Sequence, residues 1–201
     1  MPKIVDHDKR KELIADAMMN VIKEVGLEKT TVRKIAAEVG LSMGTVQYYF
    51  PAQQDLYIYA MELLNKRLEE RMKHAVQEGM PVVEAVVTLL KQLIPHQDID
   101  QMVEGEAWLV FSLMALRNPA LEPLSHNMYS VINELMKKIL SALMEENYLD
   151  NSFDNEKGAI SMHAFVDGVT THAILYPHQF NESKIELLIK DYLQNICKKK
   201  V

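Results

Sequence analysis

The 201-residue chain contains one cysteine, Cys197. One thiol cannot form an internal disulfide, and such scarcity fits a reducing compartment. The chain lacks any run of about 18 uncharged apolar residues, the length that a membrane-spanning helix needs. Its polar start, MPKIVDHDKRKEL, is not of signal-peptide form. We therefore expect a cytoplasmic protein with no membrane partner.

Glycine and proline are also few, at seven each, which leaves room for long helices. The net charge of −6 is unevenly spread: residues 1–75 hold 12 Lys/Arg and 11 Asp/Glu, whereas residues 76–201 hold 10 and 17. A near-neutral N-terminal part can still bind nucleic acid if its cations cluster on one face. The negative total therefore does not exclude DNA as a partner.

Apolar residues recur at helical spacing almost throughout the chain, and no useful β-alternation is present. Thr31 and Ser42 are suitable N-caps, Pro51 ends a short helix, and Ser183 with Glu186 predicts a capping box for the last helix. We predict an all-α protein of about nine helices, with an N-terminal three-helix head (1–51) and a C-terminal helical domain (52–201). The first helix is predicted to bury one apolar stripe: Leu13, Ile14, Ala17, Met18, Val21, Ile22 and Val25.

The stretch 31–56, TVRKIAAEVGLSMGTVQYYFPAQQDL, predicts two short helices joined by a tight turn at Gly40. This is helix-turn-helix spacing, in which the second helix enters the major groove of DNA. Leu41 and Val46 can pack inward, and the outward residues of the second helix suit base edges and phosphates. These outward residues are Ser42, Met43, Thr45, Gln47 and Tyr48.

The same stretch resembles the DNA-binding signature of the TetR family. The matching pattern is Thr-x-x-x-Ile-Ala-x-x-x-Gly-Leu-Ser-x-Gly-Thr-x-x-Tyr-Tyr-Phe, followed by x-x-x-x-Asp-Leu. The resemblance implies a recognition helix over residues 42–49. It also implies DNA contacts from Thr31, Arg33, Lys34, Ser42, Met43, Gly44, Thr45, Gln47, Tyr48, Tyr49 and Gln53.

Gln53 departs from that signature, because the family often has a phosphate-contacting lysine there. A glutamine can donate a hydrogen bond but carries no charge. We therefore expect specific contacts and dimer geometry to matter more than overall charge for binding operator DNA.

Residues 52–201 resemble the part of TetR-like proteins that dimerises and holds an effector. Three segments, 106–111, 116–121 and 166–169, are similar to the BetI-type subgroup. The apolar stripes of the last two predicted helices favour a four-helix bundle formed by two chains, with Gly168 permitting a close crossing. The predicted interface residues are Met162, Val166, Gly168, Ala173, Ile185, Leu188, Ile189 and Tyr192. The alternative is that these stripes pack only within one chain.

Thirteen methionines are many for this length, and methionine adapts to irregular apolar ligands. We predict a pocket for a small, largely apolar effector, while plain core packing is the alternative for each residue. The predicted lining is Trp108, Phe111, Met114, Met128, Tyr129, Ile132, Phe165 and Val169.

His163 and Asp167 are spaced for one helix face, with His172 following. A metal or acid–base site is conceivable there, but no third ligand is evident, and a neutral histidine packed beside an aspartate is more common. We expect no metal, no cofactor and no enzymatic activity. The sequence predicts a homodimeric repressor that binds an inverted repeat in double-stranded DNA and is released by the effector; the alternative is a regulator without one.

Overall fold

The computed structural model describes residues 7–26, 29–96 and 98–200. Within these ranges it has nine helices and no strand, which confirms the all-α prediction. No helix in the described part is long and apolar enough to cross a membrane. The helices are α1 (His7–Val25), α2 (Val32–Glu38), α3 (Met43–Tyr49), α4 (Gln53–Ala75), α5 (Val82–Leu93), α6 (Ile99–Ala115), α7 (Glu122–Glu145), α8 (Asn155–Leu175) and α9 (Glu182–Ile196).

The chain forms two compact units. One contains the described residues up to Arg67 together with 106–124, and the other contains 68–105 and the described residues from Ser125 onwards. This division differs from the sequence boundary at 51/52, because α4 and α6 each contribute residues to both units. The functional boundary at 51/52 stays a prediction.

In the first unit, α2 packs against both α1 and α3. Ile14 and Ile22 of α1, Ile35 of α2 and Val46 of α3 are almost completely buried, so each helix contributes its apolar face to one core. Leu13 was predicted to share this burial, but it is 52% exposed. The predicted stripe contains adjacent residues and is therefore wider than the face of α1 that is buried. Leu13 lies at the edge of that face, next to the fully buried Ile14.

The core of the second unit draws on α5, α7, α8 and α9. Five residues predicted to lie in a dimer interface are buried here, within the single chain: Met162, Val166, Ala173, Ile185 and Ile189. Their side chains have almost no exposed surface within the single chain, and the predicted interface itself stays a prediction. Leu188 and Tyr192 are half-buried, and Gly168 is exposed.

The start of α9 also differs from the prediction. Asn181 is the N-cap, and its side-chain oxygen accepts a hydrogen bond from the Lys184 backbone N–H at 2.9 Å. Ser183, predicted to open a capping box, lies inside the first turn. Both residue types cap helices well, and the chain uses the earlier one.

Candidate DNA-binding surface and apolar cleft

The turn between α2 and α3 has the geometry that its sequence predicts. Gly40 adopts φ +68°, the left-handed region that glycine enters without a side-chain penalty. The Leu41 N–H donates to the Ala36 carbonyl at 2.9 Å, and the Gly40 N–H donates to that of Ala37 at 3.3 Å. This is a Schellman ending. It directs the chain into α3 and leaves Leu41 half-buried against the head.

The predicted caps of both short helices are confirmed. Thr31 accepts a hydrogen bond from the Lys34 N–H, and Ser42 accepts one from the Thr45 N–H. The Ser42 and Thr45 hydroxyls also lie 2.8 Å apart. These two side chains therefore fix the start of α3 before any DNA is bound.

The two faces of α3 differ sharply in exposure. Val46 is 1% exposed and Phe50, just after the helix, is also buried. On the other face Tyr48 is 71% exposed, and Met43 and Gln47 are exposed beside it. Met43, Gln47 and Tyr48 thus share one exposed face of an anchored helix, as a DNA-contacting surface requires.

An aromatic cluster extends this exposed face towards α1. The rings of Tyr48 and Tyr49 meet edge-on with centroids 5.3 Å apart, and the His7 ring lies 5.4 Å from that of Tyr49. Sequence reasoning did not identify His7, because it is distant from the motif in sequence. The structure brings it to the same surface.

Gln53 does not project freely as a phosphate-contacting residue would. Its amide nitrogen lies 2.5 Å from the Tyr57 hydroxyl and 3.3 Å from the Thr30 carbonyl oxygen. Arg33 and Lys34 are exposed on α2, as predicted for residues near a DNA backbone. The amide of Gln53 is thus engaged within the protein, whereas these two cations are presented outward.

A second feature of the first unit is an apolar cleft formed by α1, α4 and α6. It is partly open to solvent, and its cavity of about 10 Å³ has room for roughly one water molecule. Its single polar side chain is Tyr57, whose pKa is raised by burial and lowered in part by the hydrogen bond from Gln53. The lining is Met18, Met19, Ile22, Tyr57, Met61, Ala107, Phe111 and Met114.

Only Phe111 and Met114 of the predicted effector site line this cleft. Trp108 is half-buried in the same unit. The other predicted residues belong to the second unit, where Ile132, Phe165 and Val169 pack into the core and Met128 is buried. The cleft also contains Met18, Met19 and Met61. The sequence did not predict them as pocket residues, because their helical spacing is also typical of ordinary core residues.

Tyr129, the last predicted pocket residue, stacks on His163 with ring centroids 4.9 Å apart. His163 is 5% exposed, and its Nδ1 has no hydrogen-bond partner among the residues that the structure describes. Its Nε2 lies 3.7 Å from Asp167, whose pKa is raised by burial and lowered less by the histidine. Within the described ranges no three His, Cys, Asp or Glu residues are grouped to hold a metal.

Comparison with known proteins agrees with this geometry. Residues 14–60 match the family model of bacterial regulatory proteins of the tetR family. Residues 82–198 match the model of the C-terminal part of BetI-type transcriptional repressors. The first match confirms the resemblance of the helix-turn-helix residues, and the second confirms the BetI-type resemblance of the C-terminal segments.

Whole-chain relatives give the same result. The chain is 32% identical to the HTH-type transcriptional regulator PksA of Bacillus subtilis, covering 98% of this chain and 94% of that one. It is 25% identical to the HTH-type transcriptional regulator BetI of Vibrio campbellii, covering 96% and 94%. A transcriptional regulator from Saccharomonospora viridis, crystallised in complex with choline, shares the fold with a TM-score of 0.85 at 18% identity, over 96% and 100% of the two chains. The chain therefore belongs to the TetR family of DNA-binding transcriptional regulators, with a BetI-type C-terminal domain, and is not an enzyme.

Proposed function

We propose that this regulator is a homodimeric repressor that leaves its operator when a small, largely apolar molecule binds. The observation that carries the DNA-binding part is the two-faced α3, with Val46 buried and Tyr48 exposed. A helix anchored on one face and open on the other can enter a major groove as a rigid unit. Such a protein acts where the chromosome is, so the proposal includes a cytoplasmic location.

Dimerisation is supported by the outer face of α8. Ile160, Ala164, Gly168 and Leu175 are all exposed, and their spacing places them on one side of the helix. Leu187 of α9 is also exposed, at 54%. An operator with two-fold symmetry requires two heads about one DNA turn, or roughly 34 Å, apart. We assign the dimer contact to this outer face, in place of the five buried residues first predicted.

The effector part rests on the methionines. Phe111 and Met114 share a cleft with three further methionines, and thioether side chains adapt to ligands of varied shape. The S. viridis protein binds choline, and a quaternary ammonium is held by several aromatic faces. In this chain Tyr129 stacks on His163 and Phe165 on Tyr192. Each stack covers one face of each ring, and the cleft itself is lined by two aromatic residues, Tyr57 and Phe111, which favours an apolar effector over a quaternary ammonium.

Selection from a random-sequence DNA library tests the DNA-binding part. The purified protein is expected to enrich an inverted repeat whose half-sites are centred about one helical turn apart. Footprinting on the selected DNA, here called the operator, should protect both half-sites. Enrichment of a single half-site, or of no sequence, would refute the proposed dimeric mode.

Sedimentation equilibrium tests the dimer. Ala164→Arg places a charge on the proposed contact face of α8, and the variant is expected to sediment as a monomer with an unchanged melting temperature. Ala120→Arg is the matched control, since Ala120 is an exposed alanine outside both helices. If the Ala164→Arg variant is still a dimer, the dimer interface does not lie on this face of α8.

A ligand screen by thermal shift tests the effector. A molecule that releases the operator must bind the free protein more tightly than the DNA complex by the same factor, because the linkage is reciprocal. If no apolar compound both raises the melting temperature and weakens operator binding, the alternative of a regulator without an effector is favoured.

A further inference from the structure

Gln53, Tyr57 and Thr30 form a connection within the first unit that the family assignment does not explain. We propose that Tyr57 and Gln53 are positioning residues for operator recognition. They hold the α2–α3 segment through the Thr30 carbonyl, and Gln53 does not act by touching a phosphate. The proposal uses the established DNA-binding activity and does not depend on the effector.

Thr30 is held firmly at the entry to α2. Its side chain is 3% exposed, and its hydroxyl donates to the Gly26 carbonyl at 2.9 Å. Its own carbonyl accepts from the Gln53 amide at 3.3 Å. Thr30 precedes Thr31, which caps α2. The chain entering α2 is therefore fixed both to the end of α1 and to the start of α4.

The Gln53 side chain is oriented by two hydrogen bonds. An exposed glutamine loses side-chain entropy when it adopts one rotamer, so a weak bond to Thr30 would not hold it alone. The Tyr57 hydroxyl lies 2.5 Å from the same amide nitrogen, one helical turn along α4. An amide –NH₂ has two hydrogens, so it can donate to the tyrosine oxygen and to the carbonyl together.

The Tyr57 side chain is oriented by the packing of its ring. Its ring lines the methionine-rich cleft, and burial raises the pKa of its hydroxyl. The ring is held by apolar packing while the hydroxyl is directed to Gln53. The start of α4 is itself anchored, because the Ala52 N–H donates to the Asp55 carboxylate at 2.9 Å. The hydrogen bond from Gln53 to Thr30 thus joins the anchored start of α4 to the segment that enters α2.

This arrangement separates two roles for Gln53. A phosphate contact contributes equally to all DNA sequences, whereas correct placement of the reading helix contributes mainly to the selected one. Tyr57 lies one helical turn after Gln53 in α4 and bonds to its amide. Removing the Tyr57 hydroxyl should therefore lower operator affinity only if Gln53 acts through Thr30. If Gln53 instead reached the DNA, losing Tyr57 would leave its amide free to do so.

The experiment is a double-mutant cycle with Tyr57→Phe, Gln53→Ala and the double variant. Affinity is measured for the operator and for random-sequence DNA of equal length, at fixed salt and at a temperature where melting curves show every variant folded. Loss of a hydrogen bond should lower operator affinity about 2- to 12-fold. We expect each single variant to show this loss, the double variant to lose no more, and random-sequence DNA to be bound nearly as before.

Matched controls exist on the same helix. Tyr59→Phe removes the hydroxyl of a tyrosine whose ring packs against Phe50, and Gln54→Ala truncates the neighbouring exposed glutamine. Both should leave operator affinity unchanged. Hydrogen exchange of peptides covering residues 29–40 should accelerate in Tyr57→Phe but not in Tyr59→Phe.

Two outcomes would overturn the proposal. If Gln53→Ala weakens binding to operator and random DNA alike while Tyr57→Phe changes neither, Gln53 is a phosphate contact. If neither variant changes operator affinity, the connection does not contribute to recognition.

Discussion

The Phe153 ring fills the space directly beside the Cα of Gly158. A Cβ atom added to Gly158 would lie 2.4 Å from Phe153 Cε1 and 3.1 Å from Leu140 Cδ1. The packing of the second unit therefore favours glycine at this position of α8, because the Phe153 and Leu140 side chains occupy the space that a Cβ atom would take.

Gly158→Ala should lower the free energy of unfolding. Forcing a methyl group into a filled site costs about 1–3 kcal/mol, which outweighs the gain of up to about 1 kcal/mol that alanine brings to a helix interior. Urea denaturation measures the difference. Gly168→Ala on the same helix is the control, since among the described residues no atom outside its own stretch of helix lies within 4 Å of the added Cβ. If Gly168→Ala destabilises the monomer as much as Gly158→Ala does, the packing argument fails.

Gly40→Ala should also destabilise the protein, for a different reason. Apart from its chain neighbours, no described residue lies within 4 Å of an added Cβ, so the penalty comes from φ +68° and amounts to about 1–2 kcal/mol. Gly40→Asn should cost less, because asparagine tolerates this conformation. Chemical denaturation of both variants is the measurement, and equal stability of Gly40→Ala and wild type would contradict it.

The cap of α9 can be tested in the same way. Asn181→Ala removes the oxygen that accepts from Lys184 and should cost about 0.5–2 kcal/mol. Ser183→Ala should leave stability nearly unchanged, because Ser183 lies inside the helix. The reverse order of effects would restore the capping box that the sequence suggested.

A charged cluster joins α5 to α9 and gives stability a defined pH dependence. Lys91 lies 2.7 Å from Glu182 and 3.2 Å from Glu186. The pKa of Glu182 is lowered mainly by its hydrogen bond from Lys91, and that of Glu186 by those from Lys190 and Lys91. Burial lowers the pKa of Lys91, but the hydrogen bonds and charges of the two glutamates together raise it further, so the pKa is raised overall.

The directions of these pKa shifts determine how the stability of the protein changes with pH. A carboxylate with a lowered pKa stabilises the fold above its ordinary pKa of 4.5, and this stabilisation is lost as the pH falls through the lowered value. The lysine contribution lasts up to its ordinary pKa of 10.5 and is lost as the pH rises beyond the raised one. Relative to Lys91→Met, wild type should therefore gain about 0.2–1 kcal/mol between pH 3 and pH 6. Lys138→Met, on an exposed lysine of α7, should show no such gain. A pH-independent difference for Lys91→Met would contradict the assignment.

The helix-turn-helix could be predicted because its signals are local. Thr31, Gly40 and Ser42 each determine backbone geometry within a few residues, so the sequence alone sufficed. The covering of α8 and α9 could not be predicted in this way. An apolar stripe shows that a face is covered, but not whether by the same chain or by a second one, and Met162 and Ile189 proved to be covered by their own chain.

Gln53 shows the same limit at the site itself. Its partner Thr30 is 23 residues away in sequence, and no pattern of residue types predicts that pairing. The family resemblance suggested a DNA contact from the position alone. Side-chain hydrogen bonds between elements depend on how those elements pack, which only the structure provides.

We propose above all that α3 reads DNA with its exposed face. Gln47 and Tyr48 are exposed on that face, and each base-edge contact that is lost should cost about 1–3 kcal/mol, or roughly 5- to 150-fold in affinity. The direct measurement is operator affinity of Gln47→Ala and Tyr48→Ala at fixed salt, beside Gln179→Ala in the exposed α8–α9 loop as a control. We predict that at least one of the two α3 variants binds the operator more weakly by this margin, with Gln179→Ala unchanged. Wild-type affinity in both α3 variants would contradict the account.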